Sequence, residues 1–384
     1  MPRHDFQISP VFKHHVVFTR NAFAPENPEL PRILHEGGGR RALVLLEQSV
    51  AAAWPGLDAE ITRCFAGTDV KLAAIHVMPG GESAKNDDTA VRAVWSLIHT
   101  SRIDRHSYVI AIGGGAFLDV AGFAAATAHR GVRLLRFPTT TLSQSDSGVG
   151  VKSAINAFGR KNWIGAFAVP FAVINDFRFL QSQDPETRRS GLIESIKVAL
   201  VKDRAFFEWI ESNLDALATL DPTAIEACVE RSALLHLHHI ALGGDPFESG
   251  SGRPLDFGHW SAHKLEAMTS CDVPHDRAVS AGVALDTLYS ARSGRMPDPF
   301  ARQVLAVLEG LGLMVWHPAM DWRDENGRRR ILDGLDEFRE HLGGRLTLMM
   351  LQEPGVGTEV HQIDETLLGE CLDELRGLGL TQCG

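Results

Sequence analysis

Apolar positions in the first half of the chain fall in short β-branched runs, separated by segments of helical period. ALVLLEQ (Ala42–Gln48) reads as a buried strand followed by the helix-like VAAAW. KLAAIHVM (Lys71–Met78) predicts a second strand and TAVRAVWSLIHT an amphipathic helix. SYVIAIGGG (Ser107–Gly115) is a third strand running into glycines, and AFLDVAGFAAATAHR continues as a helix. VRLLRFP and FAVINDF are further strands. This alternation implies βαβ units and a mostly parallel sheet. From about Gln181 the texture changes: RRSGLIESIKVALVKDRAFFEWIESNLDAL, PTAIEACVERSALLHLHHIAL and RAVSAGVALDTLYSAR all carry helical period. GGDPFESGSGRP (Gly243–Pro254) reads as a loop from its glycines and prolines. The boundary lies near 178–185. We expect a Rossmann-like α/β domain with a mostly parallel sheet over 1–180, followed by an all-α domain over 181–384.

Composition narrows the class. A chain of 384 residues is too long for one small core, which supports two domains. With 44% hydrophobic and 22% charged residues it is globular, not disordered. A net charge of −10 disfavours nucleic acid or an anionic membrane as partner, but local basic clusters leave an anionic small substrate open. The five cysteines are odd in number and never form a C-x-x-C pair, as suits a reducing cytoplasm. The N-terminal segment lacks the apolar core of a signal peptide, and no run approaches eighteen apolar residues. The expectation is a cytoplasmic protein with no membrane partner.

Five stretches carry candidate chemistry. DFGHWSAHKLEAMTSCDVPHDR holds His259, His263 and His275, the first two at i and i+4 on one helix face. Two histidines make half a zinc site; a third protein ligand and an open position are still required. GLIESIKVAL sets Glu194 and Lys197 three apart on an otherwise apolar helix, where they either pair with each other or face a ligand. IAIGGGAFLDVAGF is strand, glycine turn and helix start, fit either for a phosphate at the helix N-terminus or for tight packing. It is not the G-x-G-x-x-G fingerprint. MPGGESAKN puts Glu82 and Lys85 just after the second strand, as binding groups or an exposed charge pair. The densest polar stretch is RFPTTTLSQSDSGVGVKSAINAFGRKNWIGAF, residues 136–167, which reads as a functional loop. Its Lys152 and Lys161, with Arg130, are able to neutralise a phosphate; a solvated basic loop is the other reading.

Taken in order, GGGAFLDVAGFAAATAHRG, FPTTTLSQSDSGVGVKSAIN, GRKNWIGAF, GLIESIKV, DPFESG and GHWSAHKLE resemble the dehydroquinate synthase family of sugar-phosphate cyclases. The resemblance runs from roughly residue 40 to 290, and EFREHLGGRLTLMML looks like the family's final segment. It implies a zinc site, or a cobalt one, on Glu194, His259 and His275, with His263 near the substrate phosphate. Lys152, Asn162 and Arg130 would grip that phosphate, the arginine reaching across a homodimer interface. Asp146 and Lys197 would hold sugar hydroxyls. NAD would meet Glu82, Lys85, Gly114, Gly115, Asp119, Thr139, Thr140 and Lys161, with Glu47 toward the adenosine ribose. The implied reaction on a small phosphorylated sugar is oxidation of a ring hydroxyl, phosphate elimination, re-reduction and aldol closure.

Substrate-side positions depart from the family pattern. His238 stands where a lysine is expected, Asp256 for asparagine, Gly252 for an arginine displaced to Arg253, and Trp260 for threonine. The late lysine region reads Arg339-Glu340-His341. Retained cofactor and metal positions beside altered substrate positions are what a changed substrate within one mechanism produces. The substrates weighed are the seven-carbon phosphate of the shikimate route and sedoheptulose 7-phosphate. A metal- and NAD-dependent polyol dehydrogenase and a catalytically silent homologue remain the other classes.

Overall fold

The computed structural model describes residues 3–6, 8, 11–243, 247, 254–341 and 344–382. The chain forms two compact units, Met1–Thr139 with Val151–Arg178, and Thr140–Gly150 with Phe179–Gly384. The second unit thus takes eleven residues from inside the segment expected to belong to the first.

The first unit is built on β1 (His15–Thr19), β2 (Arg41–Glu47), β3 (Lys71–Met78), β4 (Tyr108–Gly113), β5 (Arg133–Pro138) and β8 (Ala172–Asp176). They form one sheet in the order β1-β8-β5-β4-β2-β3, parallel at every pairing. Helices α1 (Glu29–Gly37), α2 (Gln48–Ala53), α3 (Leu57–Ala66), α4 (Thr89–Thr100) and α5 (Gly115–Thr127) connect the strands. Strands β2 and β4 are buried along nearly their whole length, which explains their unbroken apolar runs. Strand order reverses at β2, whose neighbours are β3 and β4, so the crevice outside the carboxyl ends of β2 and β4 is a topological switch point. Glu47 ends β2, and Gly113–Gly115 lead from β4 into α5.

Residues 136–167 are not a single loop. Beyond β5 lies a π-helical turn, Ser143–Ser147, and then an antiparallel hairpin of β6 (Lys152–Ala157) and β7 (Arg160–Phe167). Phe158 and Gly159 turn the hairpin with φ of 53° and 72°, the left-handed pair that matches strand twist. Strand β7 (RKNWIGAF) is largely exposed, three polar residues followed by an apolar run, so no alternation of apolar and polar positions announced it. Strand β1 was also unannounced: it is a short edge strand, half-buried throughout.

The second unit contains α6 (Pro185–Ser190), α7 (Ile193–Lys202), α8 (Arg204–Ser212), α9 (Leu214–Ala218) and α10 (Pro222–Leu242). It continues with α11 (His259–Met268), α12 (His275–Arg292), α13 (Asp298–Gly310), α14 (Asp333–His341) and α15 (Glu365–Gln382). The expectation of an all-α unit is corrected by an antiparallel hairpin of β9 (Leu348–Glu353) and β10 (Val356–Val360). A short apolar run such as LMMLQE fits strand or helix equally, and the neighbouring helices biased the reading. At the centre, α12 is buried from Ala278 to Ser290. It meets α11 through two glycines: a Cβ on Gly282 would sit 2.0 Å from the Gly258 carbonyl oxygen. Gly258, with φ 79°, is the residue before α11. Among the described residues no helix is long and apolar enough to cross a membrane.

Candidate active site

The second unit gathers Glu194 from α7, His259 from the first turn of α11 and His275 from the first turn of α12. One donor atom from each lies within 4.8 Å of the others. Glu194 Oε1 is 3.9 Å from His259 Nε2. Tetrahedral zinc with bonds of about 2.0–2.1 Å separates its donors by about 3.4 Å, so small side-chain rotations close the set. The imidazole tautomers agree with this. His259 Nδ1 lies 3.2 Å from the Phe257 carbonyl and His275 Nδ1 3.2 Å from Glu266 Oε2. With both Nδ1–H groups donating to oxygen, each ring keeps Nε2 for a cation. Burial, then Lys197 and the neighbouring imidazoles, hold His259 well below the ordinary histidine value and so neutral, the state a metal ligand needs. The donor set therefore fits a zinc-type ion of His₂Glu kind.

Glu194 and Lys197 are both buried, and their side chains form an ion pair. Burial raises the Glu194 carboxyl, with Lys197 opposing. Desolvation disfavours the Lys197 ammonium, but Glu194, Asp146 and Asp256 outweigh it and lift Lys197 above the usual lysine value. Asp146, on the π-helical turn, pairs with His236 of α10 at 2.6 Å. Burial alone would raise this carboxyl; His236 and Lys197 instead hold it far below the usual range. The same turn is tied to α10 by Ser232 Oγ, which donates to the Ser145 carbonyl. His263 is exposed and stacks on His275 at 6.0 Å between ring centroids.

Three residues of this cluster escaped the sequence reading. His236 lies one helical step beyond the buried Cys228 and Ser232, so the period of α10 pointed to it and not to His238, which is exposed. Glu266 is 1% exposed and holds His275. Asp286 accepts hydrogen bonds from Gly258 N–H (3.0 Å) and the Trp260 indole N–H (2.9 Å), fixing both neighbours of His259. Burial pushes its carboxyl up to about 7. A lone acid in the apolar run AGVALDTLYS was its signal. Trp260 therefore fills the core beside Asp286, its side chain 2% exposed. Gly252, Arg253 and most of DPFESG lie outside the described residues, as does the side chain of His341.

The first unit holds the remaining candidates. Lys85 is buried, and its Nζ donates to Asp119 Oδ2 at 2.6 Å and to Asn162 Oδ1. Asn162 N–H donates to Asn156 Oδ1, and the Asn156 amide donates to Glu82 Oε1 and Asn86 Oδ1. Lys161 Nζ stands 3.8 Å from Glu82. Buried Arg136 of β5 donates to the Lys152 carbonyl and Ser153 Oγ, anchoring β6. These bonds lock the hairpin that carries Lys152, Lys161 and Asn162 onto the turn Glu82–Lys85. At the switch point, Glu47 Oε2 accepts the Gly114 N–H at 2.7 Å. A Cβ on Gly113 would stand 2.6 Å from Phe117 Cδ1 and 2.7 Å from Glu47 Oε2, so any side chain here would push both aside and loosen this approach. Gly115 opens α5, and Thr139 N–H donates to the Gly113 carbonyl. Thr140, in the second unit, bonds to Ser143. Arg130 is exposed, on a left-handed backbone (φ 62°), outside the network described above.

Comparison with known proteins gives a consistent result. The family model for the 3-dehydroquinate synthase N-terminal region matches residues 75–190, and that for the C-terminal region residues 191–329. The chain is 35% identical over 316 residues to the 3-dehydroquinate synthase of Halorhodospira halophila, covering 82% of this chain and 84% of the relative. It is 33% identical over 363 residues to that of Pseudomonas savastanoi pv. phaseolicola, covering 92% and 94%. The structure of 2-epi-5-epi-valiolone synthase from Streptomyces hygroscopicus subsp. jinggangensis, with NAD+ and Zn2+ bound, superposes with a TM-score of 0.86 at 25% identity, covering 97% and 99%. A 2-deoxy-scyllo-inosose synthase shares the fold, with a TM-score of 0.77 at 21% identity over 94% of this chain and 96% of that one. By sequence match across most of its length, the chain belongs to the 3-dehydroquinate synthase family.

Proposed function

We propose that the chain is a 3-dehydroquinate synthase-like sugar-phosphate cyclase, a phosphate-releasing lyase that uses NAD and a divalent metal. The observation that carries the reading is the convergence of Glu194, His259 and His275 with both imidazoles offering Nε2. Zinc or cobalt held there supplies a Lewis acid for a substrate oxygen. NAD supplies a hydride acceptor that is regenerated in each turnover, so no net NADH forms. Lys197, kept protonated by its acidic neighbours, donates hydrogen bonds to a sugar hydroxyl, and Asp146 accepts one. Lys152 and Asn162 take the substrate phosphate, and His263 donates to it. Lys85, Asp119, Glu82, Lys161, Thr139, Thr140 and the Gly114–Gly115 turn hold the cofactor, with Glu47 toward its ribose. Exposed Arg130 is read as serving a second copy of the chain in a homodimer.

The default substrate is the seven-carbon phosphate of the shikimate route. Asp256 favours a second reading, sedoheptulose 7-phosphate: it stands three residues before His259, close enough to raise Lys197. A second anion there repels a sugar acid but spares a neutral sugar. The test is phosphate release from each compound with NAD and zinc present. Release without NADH accumulation supports a cyclase and the faster compound identifies the substrate. NADH accumulating with a simple polyol would replace the reading with a dehydrogenase.

A further inference from the structure

We propose that Glu266 is a positioning residue for the metal site: its carboxylate sets the tautomer, ring orientation and donor strength of His275. The proposal rests on the reading of Glu194, His259 and His275 as metal ligands.

The geometry begins with α11. Glu266 follows His259 by seven residues, two helical turns, so both side chains leave the same face. At the end of that helix Ser270 and Cys271 adopt φ of 53° and 65°, and this left-handed pair reverses the chain. The reversal returns His275 to the face it has just left. Its Nδ1 then comes within 3.2 Å of Glu266 Oε2, although the two are nine residues apart in sequence. Glu266 is 1% exposed, and a carboxylate this deep needs donors to offset desolvation. The imidazole N–H is such a donor. Accepting it commits the proton to Nδ1 and leaves the Nε2 lone pair for the cation.

The two ligand histidines are then unequal. His259 leans on the neutral Phe257 carbonyl, whereas His275 leans on a carboxylate. A charged acceptor polarises the N–H further and makes the opposite nitrogen the stronger donor. His275 is also the less buried of the two, so more of its orientation depends on this bond.

A competing use of the same groups exists. His263, Glu266 and His275 also bring donor atoms within 4.8 Å of one another, a set that would itself accept a cation. In that arrangement Glu266 would be a ligand of a second ion, and His275 Nδ1 would lose its proton. Burial of the Glu266 side chain and exposure of His263 favour the positioning role.

The experiment uses the full chain, freed of metal and titrated with Zn2+ against a chromogenic chelator, for wild type, Glu266→Gln, Glu266→Ala, His263→Ala and His259→Ala. Gln keeps an acceptor without the charge; Ala removes both. The expected result is one zinc per chain, with affinity about tenfold weaker in Glu266→Gln and up to about a hundredfold weaker in Glu266→Ala. His263→Ala should keep the wild-type stoichiometry. The Co2+ absorption bands should shift in both Glu266 variants, while their metal-free urea midpoints provide the control for folding. Wild-type affinity and spectra in Glu266→Gln and Glu266→Ala, with His259→Ala deficient, would overturn the positioning role and leave the metal reading intact. Two zinc per wild-type chain, falling to one in Glu266→Gln and His263→Ala, would overturn it in favour of a second ion. No zinc bound by wild type would remove the metal reading itself, and Glu266 with it.

Discussion

Gly282→Ala adds one methyl group where α12 packs against the residue that leads into α11. The new carbon would stand 2.0 Å from the Gly258 carbonyl oxygen and 2.9 Å from Ser261 Oγ. A carbon–oxygen contact relaxes at about 3.3 Å, so the helices must separate by about 1.3 Å at this point. The obstacle is backbone, which cannot rotate aside. Overpacking of this kind costs about 1–3 kcal/mol, and in a unit of this size each kcal/mol lowers Tm by about 2–4 °C. The expected drop is therefore about 2–12 °C. His259 follows Gly258 directly, so the same displacement carries a proposed ligand away from Glu194 and His275. Misplacement of about 1 Å is worth about a hundredfold in rate. The assay is thermal melting with and without zinc, zinc affinity by chelator competition, and phosphate release. Gly377→Ala in α15 is the control: nothing lies within 4 Å of its added carbon, so it should hold or gain up to about 1 kcal/mol. Gly282→Ala melting with wild type and binding zinc as tightly would refute the argument from close helix approach.

Three further outcomes are expected. Lys197→Met leaves the Glu194 carboxylate buried without its partner and should cost the metal-free protein about 3–5 kcal/mol, partly restored by zinc; equal urea midpoints for variant and wild type would contradict this. Asp286, raised to about 7, keeps its proton in the folded chain while the unfolded chain has lost it above about pH 4. Its contribution to stability is therefore full below about pH 4 and falls by up to about 4 kcal/mol as pH rises through 7. Asp286→Asn should flatten that slope in urea midpoints taken from pH 4 to 8, and an unchanged slope would count against it. Lys85→Met removes the donor shared by Asp119 and Asn162; NAD affinity by fluorescence titration should fall about 10- to 100-fold, and wild-type affinity would free Lys85 from a cofactor role.

Legibility in the sequence followed burial. Strands β2, β4, β5 and β8 stood out because paired strands inside a sheet need apolar runs; β3 is an edge strand legible from its own apolar run KLAAIHVM, whereas β1 is a short edge strand and the β6–β7 hairpin is partly solvated. The charges of Glu194 and Lys197 were conspicuous on an apolar helix, as a buried pair must be. His236 belongs to no family motif, whereas His238 stands where the family pattern has lysine; helical period from Ser232 separates the two. Glu266 could not be read at all. In HKLEAM it looks like any solvated helix charge, and only the left-handed reversal at Ser270–Cys271 brings its partner back to it.

The excursion of Thr140–Gly150 into the second unit has a consequence for engineering. A gene severed at codon 178 would yield a C-terminal fragment without Asp146 and Ser145, leaving the Ser232–His236 side of α10 bare to water. A cut at that point divides the second unit instead of separating two independent cassettes. A chimaera joined at codon 178 should keep the Ser232–Ser145 and His236–Asp146 contacts only when its Thr140–Gly150 insert comes from the same parent as α10.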